Sequence, residues 1–481
     1  MRLNFDILAA VLPWIKTRRA LLSYISTCSD LYNAGSLFLL KFHYNIVPSK
    51  LPQFYQFLQS RSPASFLALR SLYLSSLPYM FGILEEDAVG PLADIMGRAK
   101  NLRRIQVSGD VFERCPLLYE ALGSLQHLRC LDLHDAYSTD PEQLDLLTRL
   151  HSPLTTLKLG GMDDDFDIIV ALSNFRRTLK ELQLEEATLC YSPEVVCYPA
   201  LTNLHLTVVC NPRLSFLIPA FPHLLTLNIS FSGKFDHEAE NARNANLQFQ
   251  TDHPSQRWYL EYLMGDTGSL YVLALQSGVP DVTLTYFTPE TDVATADICL
   301  TPLCPIQLSF NNDVADIVGT DWLSEAISSD WFELVSLDIT FTLDMLWDHQ
   351  VYLDNIFEEL SIVSTSKPDL FLLDLELYAW GSRSEPNSTH EFLDSLEMDA
   401  IATCALQAIP TLQTAKFSIY SNETRVSHWA YGEDGGIRPI LSKDEVNDVY
   451  DRVMSPLFDG QSFDDVTHDF RADRPTARSL S

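Results

Sequence analysis

A six-residue leucine pattern recurs through most of this chain of 481 residues, and it constrains the fold more than any other feature. The pattern is L-x-x-L-x-L with relaxed aliphatic choices. Its clear copies start 22 to 33 residues apart, at Leu69, Leu102, Leu128, Leu154, Leu179, Leu201 and Leu224. More widely spaced copies start at Leu270, Leu334 and Leu370, and marginal ones start at Leu303 and Leu412. So many copies of one short unit predict an array of repeats.

Each copy has the spacing of a short β-strand. Two aliphatic residues separated by one position, such as Leu131 and Leu133, point to the same side of an extended chain. Between copies lie stretches with helical spacing, such as Pro116–Leu125 and Pro141–Leu150, and each begins with a proline, which suits the first helical position. A single strand and helix cannot bury their own apolar faces, so such units must stack. The alternative is an ordinary α/β domain with leucine-rich strands.

The pattern resembles the leucine-rich repeat over roughly residues 66 to 420. That family usually carries Asn or Cys three residues after the last leucine of the pattern, where the side chain bonds the backbone of the next turn. In this chain those positions hold Leu77, Asp110, Ala136, Met162, Ala187 and Val209. The resemblance therefore implies an irregular, curved α/β solenoid with a parallel sheet on its concave face.

We predict three segments along the chain. Residues 1–45 form a helical module and residues 46–440 form the solenoid, with polar loop insertions at 232–256 and 381–391. Residues 441–481 form a charged C-terminal helix followed by a disordered tail.

The charge balance restricts the class of partner. The chain has 33 basic and 64 acidic residues and a net charge of −31, which disfavours nucleic acid and anionic membranes because phosphate binding needs clustered Lys and Arg. The acidic residues either keep a large surface soluble or capture a basic protein. Nine cysteines at irregular spacing, without a C-x-x-C pair, favour free thiols in a reducing compartment. We therefore expect a cytoplasmic or nuclear protein.

The first forty residues are expected to have a separate role. In the apolar stretch "LNFDILAAVLPWI" (Leu3–Ile15), Asp6 interrupts the run and the basic flank follows it, which argues against a signal peptide. Phe5, Leu8, Val11 and Leu12 share one helical face, and a second face comprises Leu21, Leu22, Ile25 and Cys28. Two or three short amphipathic helices are predicted, which either cap the solenoid or dock on another protein.

This segment resembles the F-box, although Asn4 stands at the usual proline and the common Trp after the Cys is absent. An F-box followed by leucine-rich repeats is the layout of large fungal families, and Ala415–Leu441 looks like their closing strand. The resemblance implies docking on the adaptor subunit of a cullin–RING (SCF-type) ubiquitin ligase, while the repeats bind a protein substrate. The docking residues it implies are Leu3, Phe5, Asp6, Ile7, Leu8, Val11, Leu12, Leu21, Leu22 and Ile25.

No catalytic motif stands out in the sequence. G-x-S-x-G, P-loop, G-x-G-x-x-G and H-E-x-x-H patterns are all absent, and the acidic run Met162–Asp167 lacks the spacing of a calcium loop. We therefore predict no enzyme activity, no cofactor and no metal. The alternative to a ligase adaptor is a stand-alone leucine-rich-repeat scaffold, or an acidic inhibitor that covers a basic protein, with no ligase link.

Overall fold

The chain forms two compact units in the computed structural model. The first comprises residues 1–260 with 272–274, and the second comprises residues 261–271 with 275–481. The structure describes residues 5–42, 45–61, 63–74, 86–108, 116–134, 147–160, 168–187, 189, 195–208, 210–231, 237–287, 289–312, 322–327, 334–343, 349–367, 369–379, 388–421, 424–431 and 437–440.

In the first unit, helices precede and alternate with parallel strands. The helices are α1 (Phe5–Val11), α2 (Arg18–Ile25), α3 (Ser29–Leu39), α4 (Leu51–Arg61), α5 (Pro63–Ala68), α6 (Glu86–Arg98), α7 (Pro116–Gly123), α8 (Ile168–Ala171), α9 (Leu214–Ala220) and α10 (His237–Asp252). Short 3-10 turns cover Leu12–Trp14, Pro48–Lys50 and Leu172–Phe175. The strands are β1 (Asn45–Ile46), β2 (Ser71–Leu74), β3 (Arg104–Ser108), β4 (Cys130–His134), β5 (Thr156–Gly160), β6 (Glu181–Ala187), β7 (Asn203–Val208) and β8 (Thr226–Phe231). From β1 to β8, each strand is parallel to the next.

The second unit continues the same alternation. Its strands are β9 (Tyr262–Asp266), β10 (Asp281–Thr285), β11 (Gln307–Asn312), β12 (Ser336–Leu343), β13 (Leu372–Ala379), β14 (Thr414–Tyr420), β15 (Thr424–Tyr431) and β16 (Ile437–Ile440). Its helices are α11 (Thr267–Leu273, of which residues 272 and 273 belong to the first unit), α12 (Pro289–Leu303), α13 (Trp322–Ala326), α14 (His349–Ser366), α15 (Ser388–Ser395) and α16 (Met398–Ala408). Strands β9 to β14 are parallel, and β14, β15 and β16 pair antiparallel.

The leucine pattern produces this arrangement directly. The residues at the fourth position of the pattern are aligned across strands β4 to β8. They are Leu131, Leu157, Leu182, Leu204 and Leu227, and each of their side chains is at most 1% exposed. Burying one such side chain contributes about 1.5–3 kcal/mol, which no single repeat obtains alone. The α/β, leucine-rich-repeat-like fold predicted from the sequence is confirmed.

Three details of the repeat assignment differ from the prediction. The copy placed at Leu270 is wrong, because this residue lies in helix α11. The copy at Leu303 is displaced by two residues, since Leu308 and Phe310 pair with Leu337 and Ile339. Strands β9 and β10 were not predicted, because Gly and Val replace leucines in "LEYLMG" and "VPDVTL".

Within the predicted polar loop at 232–256, residues 237–252 form the sixteen-residue helix α10. Its buried face consists of Ala239, Ala242, Asn246 and Gln250. This face has helical spacing but contains small and amide side chains instead of large apolar ones. Hydrophobic periodicity therefore gave no signal for this helix.

Several other predictions fall wholly or partly outside the described residues. These include the acidic run Met162–Asp167, most of the second polar stretch, and the C-terminal helix and tail at 441–481. Of the second stretch, residues 388–391 belong to helix α15. No helix in the described ranges is long and apolar enough to cross a membrane.

Candidate protein-docking site

The first three helices enclose a small core of their own. Its buried members are Leu12, Leu21, Ile25 and Leu39. Partly buried side chains pack around them: Ile15, Tyr24, Ala34, Phe38 and Phe42. The Tyr24 hydroxyl donates a 2.9 Å hydrogen bond to the Leu8 carbonyl, which ties α2 to α1. We call α1, α2, α3 and the turn Leu12–Trp14 the N-terminal module.

Capping residues divide the module into its helices. The Thr17 hydroxyl accepts from the Ala20 N–H at 3.3 Å and starts α2. The Cys28 sulfur accepts from the Leu31 N–H at 3.5 Å and starts α3. The sequence pattern had placed Cys28 on the apolar face of the second helix, but that helix ends at Ile25. Cys28 instead occupies the N-cap of the third helix.

Gly35 allows α3 to approach its neighbours closely. A β-carbon at this buried position would lie 2.2 Å from Cγ2 of Ile25 and 3.2 Å from Cδ2 of Leu12. Both neighbours are core side chains with little room to move, being 1% and 2% exposed. The module therefore requires glycine here for packing.

We expect Gly35→Ala to destabilise the N-terminal module by about 1–3 kcal/mol, because overpacking forces neighbouring side chains out of their rotamers. Hydrogen exchange of α1 to α3 measures this loss. Gly97→Ala in helix α6 is the matched control, because no atom lies within 4 Å of its β-carbon position. Equal protection in the two variants would contradict the close packing.

The predicted docking residues fall into distinct environments. Leu3 lies outside the described residues, and Phe5, Asp6 and Ile7 belong to α1. Leu8 is half-buried. Three members, Leu12, Leu21 and Ile25, are buried in the module's own core, where they hold the helices together.

Among the described side chains of the module, the large apolar ones that face solvent are Val11, Trp14, Leu22 and Tyr32. Val11 and Leu22 are 41% and 43% exposed, and both are among the predicted docking residues. Trp14 is 81% exposed and is not among the predicted docking residues. It follows Pro13 in a 3-10 turn, so it falls outside the helical period that identified the other residues.

The module is joined directly to the first repeats. Strand β1, which follows the module, pairs with β2, and the Arg70 N–H donates to the carbonyl of Leu40, the residue after α3, at 3.2 Å. The Arg61 guanidinium donates to Asn33 Oδ1 at 2.7 Å, which links α4 to α3. The module is therefore held to the start of the sheet by backbone and side-chain hydrogen bonds.

In the second unit, a cluster of charged side chains lies on the neighbouring strands β12, β13 and β14. Lys416 Nζ lies 2.6 Å from Asp374 Oδ2 and 3.2 Å from Glu376 Oε1. Asp338 is in register with Asp374 on the neighbouring strand. Burial and the nearby charge of Asp338 raise the pKa of Asp374 to about 7, although Lys416 acts in the opposite direction. Within the described ranges, no group of three or more His, Cys, Asp or Glu side chains is arranged to hold a metal ion.

No family model matches the chain, and no curated protein matches it. Among solved structures, it is similar to the leucine-rich repeat-containing protein LegL7 from Legionella pneumophila, with 12% sequence identity and a TM-score of 0.31. The match covers 86% of this chain and 98% of that one. The leucine-rich-repeat-like assignment of this chain rests on its own strand register.

Proposed function

We propose that the protein is a non-catalytic substrate-recognition adaptor of a cullin–RING ubiquitin ligase. The N-terminal module docks on the ligase adaptor subunit, and the repeats bind a protein substrate. The observation that carries the proposal is the exposure of Trp14, Val11 and Leu22 on a module that has a buried core of its own. A cofactor or catalytic residue has no part in this function.

The exposed tryptophan supports docking on physical grounds. Trp buries a large apolar area when it enters a partner's pocket, and it is enriched among residues that dominate binding energy. Trp14 lies on the 3-10 turn after α1, and Val11 is the last residue of α1. The buried residues Leu12, Leu21 and Ile25 act indirectly, because they fix the helices that present these side chains.

The test is binding of the purified full-length chain to the ligase adaptor subunit. We expect Trp14→Ala to weaken this binding about tenfold or more, as replacement of a central Trp commonly does. The matched control is Tyr259→Ala, because Tyr259 is an aromatic residue of similar exposure, 84%, far along the chain from the module. Both residues are exposed, so neither variant is expected to unfold the protein.

Two results would reject the ligase link. One is failure of the wild-type chain to bind the adaptor subunit at micromolar concentration. The other is equal loss of binding in the Trp14 and Tyr259 variants, which would show an effect unrelated to the module. In either case the exposed apolar residues would have to serve another partner.

The net charge of −31 favours a second candidate, a scaffold that captures a basic protein without any ligase. Such a complex should weaken strongly as salt rises, whereas apolar docking through Trp14 should change little. Measuring each interaction at two ionic strengths separates the candidates.

A further inference from the structure

Three consecutive repeats carry arginine at the second position of the leucine pattern. These residues are Arg70, Arg103 and Arg129, in "LRSLYL", "LRRIQV" and "LRCLDL". The N–H of Arg103 donates to the Arg70 carbonyl at 2.8 Å, and the N–H of Arg129 donates to the Arg103 carbonyl at 2.7 Å. The sheet register therefore stacks the three arginines at one edge, immediately before strands β2 to β4.

The three side chains line one cavity. It has a volume of about 250 Å³, and Asn101 and His127 complete its wall. Arg70 is half-buried, whereas Arg103, Arg129 and His127 are exposed at the rim. The lining thus provides several N–H donors around a space that is open to solvent.

Carboxylates do not neutralise these arginines in the described part of the chain. The ion pairs Arg98–Asp94, Lys416–Asp374 and Lys416–Glu376 do not include them. Arg70 donates to the Asn101 carbonyl at 3.2 Å, and Arg129 donates to the Pro153 carbonyl at 3.4 Å. Burial, and secondly the charge of Arg103, lower the pKa of Arg70, so the positive charges of Arg70 and Arg103 repel each other. An anion in the cavity would relieve that repulsion.

We propose that Arg70, Arg103 and Arg129 form a binding site for a phosphate group. A phosphate monoester carries close to two negative charges and three acceptor oxygens, and guanidinium groups bind such oxygens in bidentate pairs. A carboxylate offers one charge and two oxygens, which would leave part of the cavity's charge unmatched. A long nucleic acid would also meet the repulsion of a chain with net charge −31.

We expect the bound phosphate group to belong to a phosphorylated side chain of a protein ligand. This part of the inference rests on the proposed function, in which the repeats hold a protein substrate. The site lies in the repeats and uses no residue of the N-terminal module. Phosphate binding and ligase docking therefore fail or succeed independently.

The test is titration of the full-length chain with three probes at constant ionic strength. The probes are inorganic phosphate, blocked O-phosphoserine and blocked glutamate. We expect saturable binding of both phosphate compounds and at least about tenfold weaker binding of glutamate. Arg103→Gln should weaken phosphate binding about tenfold, because it removes a charged, hydrogen-bonding contact. Arg177→Gln is the control, since Arg177 is exposed and lies outside the cavity.

Each outcome bears on the inference. Absence of saturable binding by either phosphate compound would overturn it, as would unchanged binding in Arg103→Gln or equal binding of glutamate. If blocked phosphoserine binds at least as well as inorganic phosphate, the site accepts a phosphorylated side chain. If only inorganic phosphate binds, the source is the free ion and the link to a protein substrate is rejected. Unchanged ligase-adaptor binding by Arg103→Gln shows that the module remains folded.

Discussion

Replacing Asn246 by alanine is expected to destabilise the first unit by at least about 3 kcal/mol, because three buried backbone groups lose their partner at once. Asn246 Oδ1 accepts from the Leu214 N–H at 2.8 Å. Its Nδ2 donates to the carbonyls of Pro212 and Val272, at 3.0 and 2.8 Å. The residue is 2% exposed, so water cannot replace these hydrogen bonds without opening the structure.

Gln250 extends the same network one helical turn later. Its Nε2 donates to the carbonyl of Asn246 at 3.1 Å and to that of Ala274 at 2.9 Å. Helix α10 therefore uses two amide side chains to satisfy backbone groups of its neighbours. This is the kind of bonding that Asn provides at fixed positions in leucine-rich repeats, whereas this chain lacks Asn or Cys at those positions.

Urea denaturation followed by hydrogen exchange in α9 and α10 measures the effect of Asn246→Ala. The control is Asn244→Ala on the same helix, because Asn244 is exposed and its hydrogen bond reaches only Glu240, at 3.4 Å. That variant should change the free energy of unfolding by less than about 0.5 kcal/mol. Similar losses in the two variants would show that the amide network does not stabilise the unit.

The sequence predicted the strands well because their signal is short and purely local. Alternating aliphatic residues such as Leu182 and Leu184 must face one side of a strand, whatever the surroundings. Helix α10 was missed for the opposite reason. Its buried face depends on Asn246 and Gln250, which are favourable only when specific carbonyls lie opposite them. Such complementarity exists only in the folded chain.

The exposed apolar residues of the N-terminal module were predictable only in part. Helical spacing identified Val11 and Leu22, which are exposed, but it also selected Leu12, Leu21 and Ile25, which the module buries itself. An amphipathic pattern shows that a face is apolar and leaves open whether the chain or a partner covers it. The arginine site required the sheet register, because Arg70 and Arg129 are far apart in sequence.

Lys416→Met is expected to destabilise the second unit by about 3 kcal/mol at pH 8, because it leaves two largely buried carboxylates without a cation. Asp374 and Glu376 would then lie unpaired on the same side of β13, beside Asp338 on β12. In the wild type, burial and Asp338 already raise the pKa of Asp374 to about 7, despite the opposing effect of Lys416. Removing Lys416 should raise that pKa further.

The loss should be much smaller at pH 5. A carboxyl group whose pKa is higher in the folded than in the unfolded chain binds protons preferentially when folded, so stability falls as pH rises from about 4 toward about 7. At pH 5 the folded variant protonates Asp374, so this carboxyl group no longer carries an unpaired charge. The destabilisation by Lys416→Met therefore grows with pH.

Urea denaturation at pH 5 and pH 8 tests this dependence. Lys180→Met is the matched control, because Lys180 is exposed and should change stability by less than about 0.5 kcal/mol at either pH. An equal loss at both pH values for Lys416→Met would mean that lost packing of its side chain, and not the unpaired carboxylates, causes the effect. In that case, adding Asp374→Asn to the Lys416→Met variant should not restore stability at pH 8. If the unpaired carboxylates cause the effect, the added substitution should restore it.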